Sequence, residues 1–520
     1  MSKVKSSRKG FSELERRLRL SMDKRHQELK RSFESAKSSR LTGDWAASAA
    51  TQDTELSQDL PTLRARSRQM VRDNPHAMNL KRMIQNNVVG QGIGIQCLVT
   101  LKNGKPDQRT NDAIEAAWLK WCEADSCHTA GRLNLNEMLR LIIGAVFQDG
   151  EILIREVHDY FGNSEVPFAL EVIEPDLLAD YAASIAGLHP DTKRTLRLGV
   201  EVDAWLRPLA YWFYPFNPGD INMSALTINH LRRIPAEDII HLYVVDRWPQ
   251  TRGVPWMHTV LKKLKDMGGY VNSEIIAARA AANIVGFVQR EMDEFTSDQN
   301  PERIPRYITS QPGSFQRLLP GEKFEGFSPS RPNSNIDAFM RYMLREVAAG
   351  VGVSYETLSR DYSQTNYSSS RLALLDDRDQ WRTLQSWLIS RFLKPVFYKW
   401  LDHAVLSGAL NLPGYFDDKE RYRAVRFKPR GWSWVDPSKE VNAYVQARQA
   451  GFMSDSDVVA AIGNGQDYED ICSQIAKDKE IAKLYGLSGT NQNNAPVDSN
   501  EKETTKEEEK SSEQAETGAA

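Results

Sequence analysis

Apolar residues fall at intervals of three and four along most of this chain and alternate with polar ones only in short runs between residues 87 and 245. This pattern predicts helices throughout, with a strand-rich segment in the first half. The first folded helix is expected from about Thr62 to Asn86 in spite of Pro75. NVVGQGIGIQCLVTL at 87–101 then reads as a strand, and Asp112 to Glu123 as a helix with Trp118 and Trp121 on one face. Asn136 to Gln148 reads as another helix, which the Asp149-Gly150 turn passes on to a strand from Glu151 to Val157. Further strands are expected at 168–173, 199–202, 209–214 and 239–245, separated by turns rich in Pro and Gly.

In the second half, Val260, Leu264, Met267, Val271, Ile275, Ala278, Ala282 and Val285 mark one face of a long helix between Trp256 and Val285. Gly268-Gly269 interrupts it at a cost of about 2 kcal/mol relative to two alanines, which predicts a kink. Ile336, Met340, Met343, Val347 and Val351 mark a second helix, Asn335 to Val351. The stretch 287–333 between them is charged, carries several Pro and Gly, and reads as an insertion between paired helices. A polar run, SYETLSRDYSQTNYSSS at 354–370, precedes a helix from Arg371 to about Trp400 that Pro395 is expected to bend. A last helical region runs from Pro437 to Leu487. The fold class is α+β, predominantly helical.

Charge changes the picture at the two ends. Residues 1–40 hold thirteen Lys/Arg against five Asp/Glu, and Phe11, Leu14, Leu18 and Met22 give them a basic amphipathic pattern. A Ser/Ala/Thr-rich linker follows near Ser35 to Thr62. Residues 487–520 hold eight acidic against three basic residues and no aromatics, a composition that favours disorder. Over all 520 residues the formal charge is -2, so no global basic field holds nucleic acid, and any such contact is local. Four cysteines fit a reducing compartment better than a disulfide framework, and no apolar run is long enough to span a membrane.

Several residue sets invite chemistry. GQGIG at 90–94 has the glycines of a dinucleotide fingerprint, but a helix is expected before it and a strand after it, the reverse of what aims N–H groups at a pyrophosphate. No GxxxxGK[ST] sequence is present. Cys122, Cys127 and His128 make the start of a zinc site without a complementary second pair, and buried cysteines are the plainer account. Asp376, Asp377 and Asp379 offer carboxylates for two-metal phosphoryl chemistry, although consecutive helix positions diverge. His241 and Asp246 lack any nucleophile setting. Arg64, Arg68 and Arg72 repeat every four residues and share a helix face that a phosphate backbone or a neighbouring subunit can engage. The polar run 352–370 suits weak contact with something that keeps moving past it.

The chain resembles the lambda-type portal proteins of tailed bacteriophages over nearly its whole length. The residues that carry the resemblance are RARSRQMVRDNPHA at 64–77 leading to NVVGQGI, DGEILIR at 149–155, IEPD at 173–176 and IPAEDIIHLYVVDRWPQTRGVPW at 234–256. LLPGEKFEGFSPSRPN at 318–333, VAAGVGVSYETLSRDYSQTNYSSSRLALL at 347–375 and WVDPSKE at 434–440 complete the set. Singly these are weak, whereas their order and spacing are specific.

The resemblance implies a ring of about twelve copies at one capsid vertex, through which terminase drives double-stranded DNA. It implies head-completion or adaptor proteins, major capsid and scaffold proteins as further partners. No cofactor, metal, membrane or catalytic activity is implied, and the protein's place is the virion, after assembly in the host cytoplasm. The portal-type subunit then divides into an N-terminal arm and linker (1–60), a mixed wing (61–255), a wing-to-stem helix (256–285), a clip (286–334) and a stem helix (335–351). A tunnel loop (352–369), a bent helix and wing return (370–435), a helical crown (436–487) and an acidic tail (488–520) follow. On this alignment the DNA-facing tunnel-loop residues are Arg360, Tyr362, Gln364 and Asn366. Two readings stand beside it: a metal-dependent DNA-processing enzyme built on the aspartates, and a monomeric DNA-binding factor using the basic arm.

Overall fold

The computed structural model describes residue 16 and residues 49–180, 195–220, 231–283, 286–290, 322–326, 335–364, 366–432, 437–462 and 468–484. The N-terminal amphipathic pattern, most of 286–334 and the acidic tail lie outside the described residues. Helix α1 (Gln52–Asp73) is followed by α2 (Pro75–Val88), β1 (Gly94–Cys97), α3 (Gln108–Trp121), the short α4 (Ala124–Cys127) and α5 (Leu135–Asp149). Strands β2 (Glu151–Val157), β3 (Ala169–Ile173), β4 (Thr195–Arg197), β5 (Val200–Val202), β6 (Pro208–Phe213), β7 (Arg232–Pro235) and β8 (Ile239–Tyr243) come next. Helix α6 (Leu261–Asn283), β9 (Gly286–Arg290), β10 (Glu322–Gly326), α7 (Ile336–Val351), α8 (Tyr355–Ser359), α9 (Tyr367–Leu388) and α10 (Lys394–Leu406) follow. The described chain closes with α11 (Lys419–Tyr422), β11 (Val425–Lys428), α12 (Pro437–Gln449), α13 (Asp455–Ile462) and α14 (Tyr468–Leu484). Helices outweigh short antiparallel sheets, so the α+β, predominantly helical class holds.

Three sequence expectations are corrected. The helix expected over 62–86 is two helices, and the first begins ten residues earlier, inside the expected linker. Pro61 sits within α1 because Leu56 and Leu60 are buried with Val254, and Asp53 accepts hydrogen bonds from the Thr251 N–H and hydroxyl. Asn74 ends α1 and caps α2 with its side chain, accepting from the His76 and Ala77 N–H groups immediately before Pro75 takes the first helical turn. The helix expected over 371–400 begins at Tyr367. Its discontinuity is a π-helical segment, Ile389–Leu393, which lies just before Pro395, and the α-helix resumes with the proline in its first turn, where a missing N–H costs least. The long helix of 256–285 begins at Leu261 and runs on through Gly268-Gly269 as a helix.

Strand β2 organises the first half. It pairs antiparallel with β3 and with β8, giving the order β3-β2-β8, while β4-β5-β6-β7 form a second antiparallel sheet. Because successive side chains point to opposite faces, β2 divides its residues between two cores. Ile152 and Ile154 join a large helical core that includes Trp118, Trp121, Ile142, Phe147, Phe397 and Trp400, whereas Leu153 faces a smaller one with Val200, Tyr211, Phe213 and Ile234. Helix α5 reaches this strand by the sequence logic of its ends. Asn134 and Glu137 form a reciprocal capping box at its start, and Gly150 at φ +90° turns the chain out of the helix. A Cβ on Gly150 would meet the Val254 backbone at 2.4 Å, and one on Gly253 would meet the Gly150 carbonyl at 2.1 Å. The Asp149-Gly150-Glu151 and Thr251-Arg252-Gly253 segments therefore pass back to back, about 100 residues apart in sequence, and only glycine permits that approach.

Candidate functional site

The back-to-back crossing holds a buried ion cluster. Glu151 and His241 are diagonal neighbours on one face of the sheet, since Glu151 stands opposite Tyr243 and Leu153 opposite His241. Glu151, fully buried, accepts from Arg252 Nε at 2.8 Å and Nη2 at 2.6 Å, from Arg64 Nη1 at 3.0 Å and from the Gly253 N–H at 2.8 Å, and lies 2.9 Å from His241 Nε2. Arg252, also fully buried, extends to Asp180 and to the carbonyls of Leu198 and Pro175. Burial alone would raise the Glu151 carboxyl. The Arg252 charge and the His241 hydrogen bond outweigh it, and the group is held far below the usual carboxylate range.

The three arginines expected to share a face separate along α1. A step of four residues turns the helix 40° past a full circle, so eight residues carry the side chain well around the axis. Arg64 is 2% exposed and engaged by Glu151, Asp176 and Asp180. Arg68, at the edge, pairs with Asp149, Glu174 and Asp176. Arg72, 74% exposed, pairs with its neighbour Asp73. The guanidinium of Arg64 is thus taken up inside the subunit; of the three, Arg72 is the one presented outward.

The polar run is a built structure. Ser354 caps α8 by accepting from the Thr357 N–H, and Leu358 is sunk into the large core. Arg360 ends the helix in the left-handed conformation, φ +60°. Beyond it, Asp361 accepts from the Tyr355 hydroxyl at 3.0 Å and from the Ser363 N–H and hydroxyl at 3.0 and 2.6 Å. The Ser363 and Tyr355 hydrogen bonds hold the Asp361 carboxyl below its ordinary value. Asn366 then caps α9, accepting from the Ser369 N–H at 2.8 Å. Of the residues proposed to face DNA, Arg360, Tyr362, Gln364 and Asn366 are all exposed, and Tyr362 is 60% so. Arg360 donates to the neutral Asn79 Oδ1 from Nε at 3.3 Å and Nη2 at 3.2 Å, so its positive charge is held in place with no carboxylate partner among the described residues.

The other candidate sets do not converge. Asp377 is buried beneath α8, Asp379 pairs with Arg382, and Asp376 is exposed. The Cys127 thiol donates toward the Cys122 carbonyl at 3.3 Å, and burial pushes it up to about 12. His128 Nδ1 accepts from the backbone N–H groups of Arg132 and Leu133, which commits it to folding the loop before α5. Among the described residues no group of three His, Cys, Asp or Glu side chains is placed to hold a metal ion. His128→Ala leaves two backbone donors without that acceptor and is expected to cost about 1–3 kcal/mol, read as a lower urea midpoint with an unchanged slope. His241 faces Glu151, while the Asp246 N–H donates to the Gln250 side chain, so the two form no dyad. The GQGIG turn has α2 before it and β1 after it. Among the described residues no helix is long and apolar enough to cross a membrane.

Spacing does not single out Glu151, Asp180, Arg252 or Asn79, and it offers Asp377 only as one of three carboxylates for a metal. A signal existed for two of them: Glu151 and Arg252 each stand beside a glycine inside the DGEILIR and TRGVPW segments, the pairing of a charge with a close backbone approach.

The loop's geometry alone does not fix the class of the protein; comparison with known proteins defines it as a conduit subunit. A family model described as phage portal protein, lambda family, matches residues 38–385, and the chain belongs to that family. Its role is that of the DNA-packaging conduit. It is 30% identical over 470 residues to a probable portal protein of Halomonas phage phiHAP-1, covering 88% of each chain. It is 22% identical over 499 residues to portal protein B of Escherichia phage lambda, covering 89% of this chain and 92% of that one. Among solved structures, the neck of an empty gene transfer agent particle aligns with a TM-score of 0.44 at 14% identity, over 76% of this chain and 93% of the other.

Proposed function

We propose that about twelve copies of this chain close into a ring, and that residues 354–369 line its channel with Arg360, Tyr362, Gln364 and Asn366 toward the DNA. The observation that carries this reading is the loop itself: an exposed tip of hydroxyl, amide and one cation, on a base anchored in the core. Twelvefold repetition makes a belt of Arg360 around the lumen, enough to meet phosphates and too sparse to stop a moving duplex. Residues 61–255 serve as the wing, 256–285 as the wing-to-stem helix, 335–351 as the stem helix, 286–334 as the clip that meets terminase and later the head-completion proteins, and 436–487 as the crown. Major capsid and scaffold proteins surround the ring during assembly in the host cytoplasm. The subunit carries out no bond chemistry of its own, and its exposed Arg72 is placed for a phosphate or a neighbouring subunit.

Arg360→Glu tests the reading. It reverses the belt while leaving α8 and its core anchor in place, and is expected to lower the yield of packaged DNA severalfold with ring assembly unchanged. Packaging at the parental level would take the loop out of the channel. A Mg²⁺-dependent nuclease activity abolished by Asp376→Ala would favour the enzyme instead.

A further inference from the structure

We propose that Asn79 and Asp377 are positioning residues for the channel loop: they clamp helix α8 at its two ends and so fix where Arg360 and the exposed tip stand. The proposal rests on reading 354–369 as that loop. Helix α8 has only five residues, far too few to hold a helical turn by itself, and each of its ends leaves backbone groups without helical partners.

Asn79, on α2, meets the C-terminal end with its whole amide. Its Nδ2 donates to the carbonyls of Leu358 at 2.9 Å and Thr357 at 3.2 Å, and its Oδ1 accepts both Arg360 contacts. One side chain therefore closes the helix and aims the cation that ends it. Asp377, on α9 and 1% exposed, meets the N-terminal end. Its carboxylate accepts from the Ser354 N–H at 2.9 Å, and the hydroxyls of Ser354 and Thr357 stand 2.7 Å from it. A carboxylate against a helix N-terminus and an amide against its C-terminal carbonyls are each the right partner for the local backbone charge.

The two clamps come from different parts of the molecule. Asp377 follows the loop by only a few helical turns, whereas Asn79 lies 279 residues before Leu358. The tip is thus registered both to the helix that leaves it and to the helical layer against which α5 packs. Neither residue reaches Tyr362 or Gln364, and the burial of the Leu358 side chain in the core is a further anchor beside the Asn79 contact to its carbonyl. Their removal should therefore loosen the presentation of Arg360 more than the fold.

The test uses full-length assembled rings, with two readouts on each variant: backbone hydrogen exchange over 354–361, and retention of double-stranded DNA after terminase-driven packaging. Asn79→Ala is expected to form rings at parental yield, to speed exchange over 354–361 by about tenfold, and to lower retained DNA by a similar factor. Asp377→Ala is expected to do the same from the other end. Asp377→Asn, which keeps an acceptor for the Ser354 N–H, should restore part of both. Should either alanine variant fail to assemble, the milder Asp377→Asn decides by the same two readouts. Exchange unchanged by these substitutions overturns the clamp, and faster exchange with parental retention overturns its role in positioning. Parental retention when residues 361–365 are themselves removed is a separate result, which refutes the tunnel-loop reading on which the proposal rests.

Discussion

Arg252→Ala is expected to lower the unfolding midpoint by roughly 5 °C, because it strips the fully buried Glu151 of its main counter-charge and leaves it to Arg64, His241 and the Gly253 N–H, at a cost of about 3–5 kcal/mol. The arginine is fully buried and held from four directions, by Glu151, Asp180 and the carbonyls of Leu198 and Pro175. Arg252→Lys is not expected to rescue it, since one ammonium replaces a planar fork with five donors. The same cluster gives stability a defined acid limb. Glu151 is bound in its charged form, so its folded value lies below the unfolded value near 4.5. Its contribution is fully present above pH of about 4.5 and is lost as the pH falls below that, where the unfolded chain takes up the proton first. Midpoints recorded from pH 7 down to pH 3 should therefore fall faster in the parent than in Glu151→Gln, which starts lower and has one carboxylate fewer to protonate. A variant Arg252→Ala melting within about 2 °C of the parent would remove the cluster from any role in stability.

The second large effect is expected at the loop tip. Deleting residues 361–365 removes Tyr362 and Gln364 and leaves Leu358, Asn79 and Asp377 to hold the base, so rings should form while DNA packaging or retention falls by about tenfold or more. A glycine-serine replacement of the same five residues separates chain length from chemistry, because it preserves the span from Arg360 to the Asn366 cap. If the tip's side chains meet the duplex, both variants fail alike. If the tip only closes a connection, the replacement behaves as the parent. Loss of rings in both, with no packaging-specific defect, would assign the tip to subunit contact.

Local chemistry made part of this molecule legible in advance. Helix α5, the Gly150 turn, the Trp118 and Trp121 face and the apolar stripe of α7 are written in spacings of two to four residues, and each falls within a few residues of its expected place. The start of α1 is hidden by the Ser/Ala/Thr-rich composition of 35–62, because the burial of Leu56 and Leu60 that fixes it depends on Val254, nearly 200 residues away. The π-helical segment before Pro395 is invisible to a 3.6-residue period. Arg64, Arg68 and Arg72 had the right spacing, but which of them faces inward is set by Glu151 and Arg252. Asp377 stood among three aspartates that spacing treats alike, and only the position of Ser354 singles it out. The loop itself was found through its composition and the family resemblance; Asn79, which holds it, has no local signature at all.

The most direct measurement of the central claim is the mass of the purified full-length protein by light scattering, with negative-stain images of the same fraction. The account predicts rings of about twelve 59.0 kDa subunits, roughly 700 kDa, with a central opening wide enough for a duplex. A protein that stays a monodisperse monomer, alone and in the presence of its scaffold and capsid partners, would contradict it.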